Sequence, residues 1–225
     1  MINLGLLGKN ISHSKSPQLY KELLQTPVNY YLFDYDDVGE IPSLKQLFKE
    51  SKLTGLNITA PYKTHYLNHV DKILGPTKSS INCIFKIENE FIATNTDYIA
   101  LAQLLPRYFF SLENIEMTIV LGSGAMTKLI THLLELWKIP YHNVFRGQGK
   151  NWESQVPTDK KIFLINCISR EYVFYRNIAH GSVFWDLNYA HGKQKKIIND
   201  QNAQYIDGLE LLYLQAQHTI NFWNL

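Results

Sequence analysis

Apolar residues in this chain fall into short unbroken runs, separated by stretches whose apolar positions recur at helical spacing. INLGLL (2–7) reads as a buried strand. Ser16 and Pro17 then supply an N-cap and a first-turn proline for a helix to about Leu24. NYYLFDY (29–35) is a second strand, IPSLKQLFKE (41–50) a helix, and LTGLNIT (53–59) a third strand. Pro61 ends that strand and opens a helix over 62–70. SINCIFKI and EFIATN flank Glu88-Asn89-Glu90 as a hairpin, and a helix runs from Asp97 to Leu105. EMTIVLG (116–122) then enters a glycine-containing turn and a helix over 125–137. YHNVF (141–145), KIFLIN (161–166) and SVFWDL (182–187) continue the strands, and GLELLYLQAQHTINFW (208–223) closes the chain as a helix.

Strands alternating with helices predict an α/β protein built on parallel sheets. The strand-turn-helix pattern restarts near residue 116, so a second unit begins there, with helix 97–105 as the connector. The segment RGQGKNWESQVPTDKK (146–161) joins two of these strands yet has no helical apolar period, which predicts a crossover without a full helix.

The 225 residues are 45% hydrophobic and 19% charged, enough for a sizeable core. A formal charge of +2 gives no electrostatic reason to expect nucleic acid or a membrane surface. Lys193, Lys195 and Lys196 read as a solvated face. Cys83 and Cys167 sit in apolar stretches and read as buried reduced thiols. No apolar run reaches the ~18 residues of a membrane span, and the N-terminus lacks the basic lead of a signal peptide. A soluble cytoplasmic protein is expected.

Polar residues cluster where strands end. In SHSKSP (12–17), Ser14 and Ser16 precede a helix N-terminus, where free N–H groups favour a carboxylate or phosphate; a plain serine cap explains them equally. In LTGLNITAPYK, Asn57 and Thr59 share a strand face near its carboxyl end, the edge where ligands of open α/β sheets bind. Lys63 lies one helical turn further. It is a solvated lysine or an acid/base, and Asp97, at the start of the next helix, is a first-turn acid or its partner. His65 and His69 have the i,i+4 spacing of metal ligands but lack a third, so no metal site is expected. VLGSGAMTK (120–128) is an incomplete dinucleotide fingerprint, with Gly122 and Gly124 in place and Thr127 at the third glycine position. Arg146, at the end of the next strand, suits a 2′-phosphate where NAD sites place an acid. Gln215 interrupts the apolar face of the last helix.

Taken in order along the chain, SHSKSP, GLNITAPYK (55–63), IN (81–82), NTD (95–97), GSGAM (122–126), DLNY (186–189) and DGLELLYLQA (207–216) resemble the shikimate dehydrogenases. The resemblance implies two α/β domains: a shikimate-binding domain, 1–100 with 208–225 returning to it, and a reduced Rossmann-like NADP domain, 101–207. It implies that Ser14, Ser16, Thr59, Asn82, Tyr189 and Gln215 hold the substrate and that Lys63 and Asp97 transfer the proton. Gly122, Ser123, Gly124, Ala125 and Met126 take the pyrophosphate, Arg146 and Lys150 the adenosine phosphate, and Leu187 and Gly208 border the nicotinamide. The implied reaction is NADPH-dependent reduction of 3-dehydroshikimate, without a metal, in a monomer or homodimer. Ala125 replaces the second of two adjacent glycines usual in the family, and Cys83 replaces a common threonine. A shikimate-binding module without catalysis, or an enzyme taking quinate, would use the same substrate residues.

Overall fold

The computed structural model describes residues 1–76 and 78–225. They form two compact units: Met1–Ala100 with Tyr213–Leu225, and Leu101–Leu212.

The first unit is built on a six-stranded sheet. β1 (Ile2–Gly8) lies between β2 (Val28–Asp34) and β3 (Gly55–Ile58), parallel to both. Beyond β3 come β5 (Cys83–Ile87), β6 (Glu90–Thr94) and the short β4 (Lys72–Ile73). The sheet is mixed: β5 and β6 form the expected antiparallel hairpin, and β5 also runs antiparallel to β3, which corrects the expectation of parallel pairing outside that hairpin. The two-residue connection Glu88-Asn89 leaves room for no parallel return, and Glu88 takes the positive φ of 53° it requires.

Period-two alternation divides β1 between two cores. Leu7 packs with Leu56, Ile58, Phe48 and Tyr66. Leu4 packs with Tyr20 of α1 (Ser16–Leu24), Cys83, and Ala216 and Trp223 of α6 (Leu209–Trp223). α2 (Leu44–Glu50) begins later than its apolar pattern predicted, because Ser43 caps it by accepting from the Gln46 N–H.

Three further boundaries differ from expectation. Lys15, rather than Ser16, occupies the N-cap of α1, and Ser16 is the first helical residue. Residues 62–70 form successive turns instead of a helix: His65, Leu67 and His69 bond three residues back, to Tyr62, Thr64 and Tyr66. The Lys63 carbonyl, which a helix would give to residue 67, accepts from Ile81 N–H at 2.9 Å. Finally, α3 (Thr96–Ser111) runs through Pro106 instead of ending at Leu105. Proline removes one hydrogen bond there, but buried Leu101, Leu104 and Leu105 and the edge contact of Tyr108 on Trp185 support the continuation.

The second unit is a five-stranded parallel sheet in the order β11-β10-β9-β7-β8. Its strands are β7 (Met117–Leu121), β8 (His142–Val144), β9 (Ile162–Asn166), β10 (Val183–Asp186) and β11 (Gln204–Ile206), with α4 (Ala125–Leu136) and α5 (Gly192–Asp200) among the connections. This is a doubly wound order whose direction reverses between β7 and β9, where such sheets bind nucleotides. The β8–β9 crossover holds two short 3₁₀ turns and no α-helix, as its sequence predicted, with Trp152 and Val156 filling the core beneath it. α5 and β11 escaped the sequence reading: α5 is mostly Lys, Gln and Asn, and its buried Gln194 bonds both the N–H and the carbonyl of Phe174.

Candidate active site

Two strand ends meet where the sequence placed its polar clusters. A Cβ on Gly8, at the end of β1, would lie 2.5 Å from both Thr59 and Ile11 side chains, so the serine loop and the β3 end pack without space between them. Lys9 N–H donates to the Ala60 carbonyl and Thr59 N–H to Leu7. Asp34 shapes the loop by accepting from the N–H groups of Asn10 and Ile11. Ser14 Oγ then accepts from Ser16 N–H at 3.2 Å, which brings the two serines together at the start of α1. Asn57, by contrast, is spent on structure: it accepts from Tyr30 Oη and donates to the Asn82 carbonyl.

Lys63 and Asp97, 34 positions apart in sequence, form a buried ion pair with Nζ 2.6 Å from Oδ2. The cap roles open to Asp97 fall to other residues. Asn95 Oδ1 accepts from Tyr98 N–H at the start of α3, and Asn82 Oδ1 accepts from Thr96 N–H at 2.7 Å. Asp97 is thereby left to the lysine. A charge-assisted bond this short and this dry is strong, and it holds the ammonium with little freedom to turn away.

Asn82 and the Gln215 backbone are joined by the hydroxyls of Thr96, a cap candidate in the sequence, and Thr219, which no motif singled out. Asn82 Nδ2 donates to Thr96 Oγ1, which lies 2.9 Å from Thr219 Oγ1, and Thr219 donates to the Gln215 carbonyl. Each hydroxyl has one proton, and either can be the donor between the two, since Thr96 also reaches Asn82 Oδ1 at 3.2 Å. Both threonines are fully buried. A threonine on an apolar helix face reads as core, and only the packed structure distinguishes this relay. Beside Asn82, burial pushes the Cys83 thiol well above its usual range, so it is a neutral core residue.

The remaining candidates belong to the second unit. Gly122 follows β7 with φ of 120°, and a Cβ there would lie 3.0 Å from Thr127 Oγ1 and 3.4 Å from Cys167. Ser123 is exposed; Gly124 is the N-cap of α4, with nothing within 4 Å of where its Cβ would be; Ala125 and Met126 open the helix. No acid stands in the first turn and no side chain caps it. An open glycine turn at an uncapped helix N-terminus, at the sheet's switch point, fits a pyrophosphate. Arg146 and Lys150 are exposed after β8, and the Arg146 guanidinium stands 5.9 Å from the Tyr172 ring centroid. Leu187, Tyr189 and Gly208 lie beyond β10: Gly208 N–H donates to the Asn188 carbonyl, and a Cβ on Gly208 would be 2.2 Å from the Leu187 oxygen. Tyr189 is thus in the second unit, whereas the other expected substrate residues are in the first.

His65 and His69 stack with ring centroids 6.2 Å apart. Among the described residues no group of three or more His, Cys, Asp or Glu side chains converges, and no helix is long and apolar enough to cross a membrane.

The shikimate dehydrogenase substrate binding domain family matches residues 6–84, which include the serine loop, Thr59, Lys63 and Asn82. A shikimate dehydrogenase (NADP(+)) of Clostridium botulinum is 27% identical over an alignment covering all of this chain and 97% of the relative. Among solved structures, shikimate dehydrogenase 1 of Peptoclostridium difficile superposes with a TM-score of 0.77 at 23% identity, covering all of this chain and 92% of that one. A Thermus thermophilus shikimate 5-dehydrogenase in complex with NADP(H) and shikimate does so with a TM-score of 0.71 at 19% identity, covering 99% and 93%. With the family model over residues 6–84 and a full-length relative agreeing with the ordered motifs, this chain is similar to the shikimate dehydrogenases along its whole length.

Proposed function

We propose that this protein is an NADP-dependent shikimate dehydrogenase that interconverts 3-dehydroshikimate and shikimate. The observation that carries the proposal is the buried Lys63–Asp97 pair at 2.6 Å. A fold alone supports many activities, but a dry ammonium held by a carboxylate beside polar strand ends is suited to moving a proton at an alcohol oxygen.

The first unit holds the substrate. Ser14 and Ser16 bind its carboxylate at the start of α1, while Thr59, Asn82, Tyr189 and Gln215 contact the carboxylate and ring hydroxyls. Asn82 acts as a donor: its oxygen is occupied by Thr96 N–H and one amide proton by Thr96 Oγ1, which leaves the second proton for the ligand. The second unit holds the nucleotide, with the Gly122–Met126 turn taking the pyrophosphate, Arg146 and Lys150 the 2′-phosphate, and Leu187 and Gly208 bordering the nicotinamide. Bound NADP(H) supplies or accepts the hydride. Lys63 donates a proton to the carbonyl oxygen as negative charge develops on it, and takes it back in the reverse direction. Asp97 keeps the ammonium aimed. Such acid catalysis contributes ~10²–10⁴ in rate.

The test follows nicotinamide absorbance while the purified protein is incubated with shikimate and NADP⁺, then NAD⁺, with Lys63→Ala alongside. NADP⁺-dependent turnover that is lost in the variant is expected. Shikimate binding with no turnover on either cofactor would instead favour a binding module.

A further inference from the structure

We propose that His191, acting through the buried carboxylate of Asp186, is a positioning residue for the loop that carries Leu187 and Tyr189; this rests on the ligand roles proposed above. Asp186 ends β10 and is fully buried. Desolvating a carboxylate is costly unless donors replace its water, and here five do. Oδ1 accepts from Asn166 Nδ2 at 3.1 Å, from Asn188 N–H at 3.0 Å and from Asn188 Nδ2 at 2.8 Å. Oδ2 accepts from Tyr205 Oη at 2.9 Å and faces His191 Nδ1 at 3.1 Å. The His191 side chain is 9% exposed.

The arrangement closes an arch. One carboxylate oxygen holds residue 188 and the other holds residue 191, so Tyr189 and Ala190 are spanned between two tethers on one side chain. Ala190 adopts φ of 55° within the arch, a conformation that non-glycine residues hold only where their surroundings impose it. The outer side is fixed independently. Asn188 donates to the Ile168 carbonyl and accepts from Gly208 N–H, and Leu187 N–H donates to Asn166. Since the carboxylate can only accept, His191 Nδ1 carries the proton. Loss of that donor removes one tie from the Tyr189 side of the arch, where the His191 carbonyl keeps its bond from Lys195 N–H, and leaves every tie of the Leu187 end in place. Substrate contact should therefore suffer more than nucleotide contact, whose other residues lie on separate loops at 122–126, 146 and 150.

The test compares His191→Leu with His191→Asn, whose side-chain N–H lies close to the place of imidazole Nδ1. Two readouts are taken: amide hydrogen exchange at residues 187–191, and the KM for shikimate against that for NADP⁺. His191→Leu is expected to speed exchange and raise the shikimate KM, each by about tenfold, the scale of one hydrogen bond to a charged group. The NADP⁺ KM should stay within about threefold, and His191→Asn should restore both readouts. A folded His191→Leu protein with unchanged exchange, or with both KM values raised alike, overturns the proposal. Should that variant not fold, His191→Ala takes its place: it removes the donor, leaves the hold of Asp186 on residue 188 intact and must give the same selective change. A wild-type protein unable to oxidise shikimate would sink the proposed function, while the exchange comparison would still decide the role of His191.

Discussion

Lys63 and Asp97 pair with each other because neighbouring groups take the other roles open to them. Asn95 and Asn82 satisfy the first turn of α3, and the Lys63 carbonyl is taken by Ile81. Lys63→Ala should lower kcat by ~10²–10⁴ with a much smaller change in shikimate KM, measured by NADPH absorbance. Breaking a buried pair also costs about 3–5 kcal/mol of stability, so the unfolding midpoint must be read alongside to separate lost chemistry from lost fold. The cysteines give a prediction of opposite sense. Burial pushes the Cys167 thiol up to about 12 and that of Cys83 upward as well. A raised thiol stays protonated as pH increases, so at pH 8 only ~10⁻⁴ of Cys167 is the reactive thiolate. Iodoacetamide should therefore leave both residues unmodified in the folded protein and label both in denaturant, as mass spectrometry would record.

Between elements, glycines mark where backbone must approach something closely. Gly55 of β3 faces the Trp223 indole, and a Cβ there would lie 2.3 Å from the ring. Trp223 also donates to the Ile84 carbonyl, which seats the end of α6 against the sheet. Gly55→Ala should cost about 1–3 kcal/mol by overpacking and lower the thermal midpoint, with no selective effect on NADP⁺. At the turn after β7, Gly122→Ala meets both a positive φ and Thr127. It should raise the NADP⁺ KM by an order of magnitude or more while leaving shikimate binding, measured by calorimetry, close to wild type. Gly124 has open space at its Cβ position and should tolerate alanine far better. These elements were largely legible as sequence, because β7, β9 and β10 are unbroken apolar runs whose burial permits little else. Segment 62–70 was not. Tyr62 and Tyr66 recur at helical spacing and are buried, yet the hydrogen bond that Ile81 makes to Lys63 diverts the chain into turns.

At the scale of the whole molecule, the first unit is discontinuous, since Tyr213–Leu225 completes a core begun by residues 1–100. Deleting 213–225 removes Ala216 and Trp223 from the cluster around Leu4, Tyr20 and Cys83 and takes away Thr219 and Gln215. The truncated protein should lose shikimate binding and its cooperative unfolding transition, both observable by calorimetry. The sequence by itself determined the α/β class, the succession β7, α4, β8, β9 and β10 in the second unit and the polar residues at strand ends, because burial periodicity and turn chemistry are local properties. Only the tertiary structure decided the antiparallel pairing of β5 with β3, the relay from Asn82 to the Gln215 backbone and the five-donor shell of Asp186. Each of these depends on hydrogen bonds between residues far apart in the chain. A buried Thr219 or His191 has no local pattern that announces its partner, and geometry alone assigns it one.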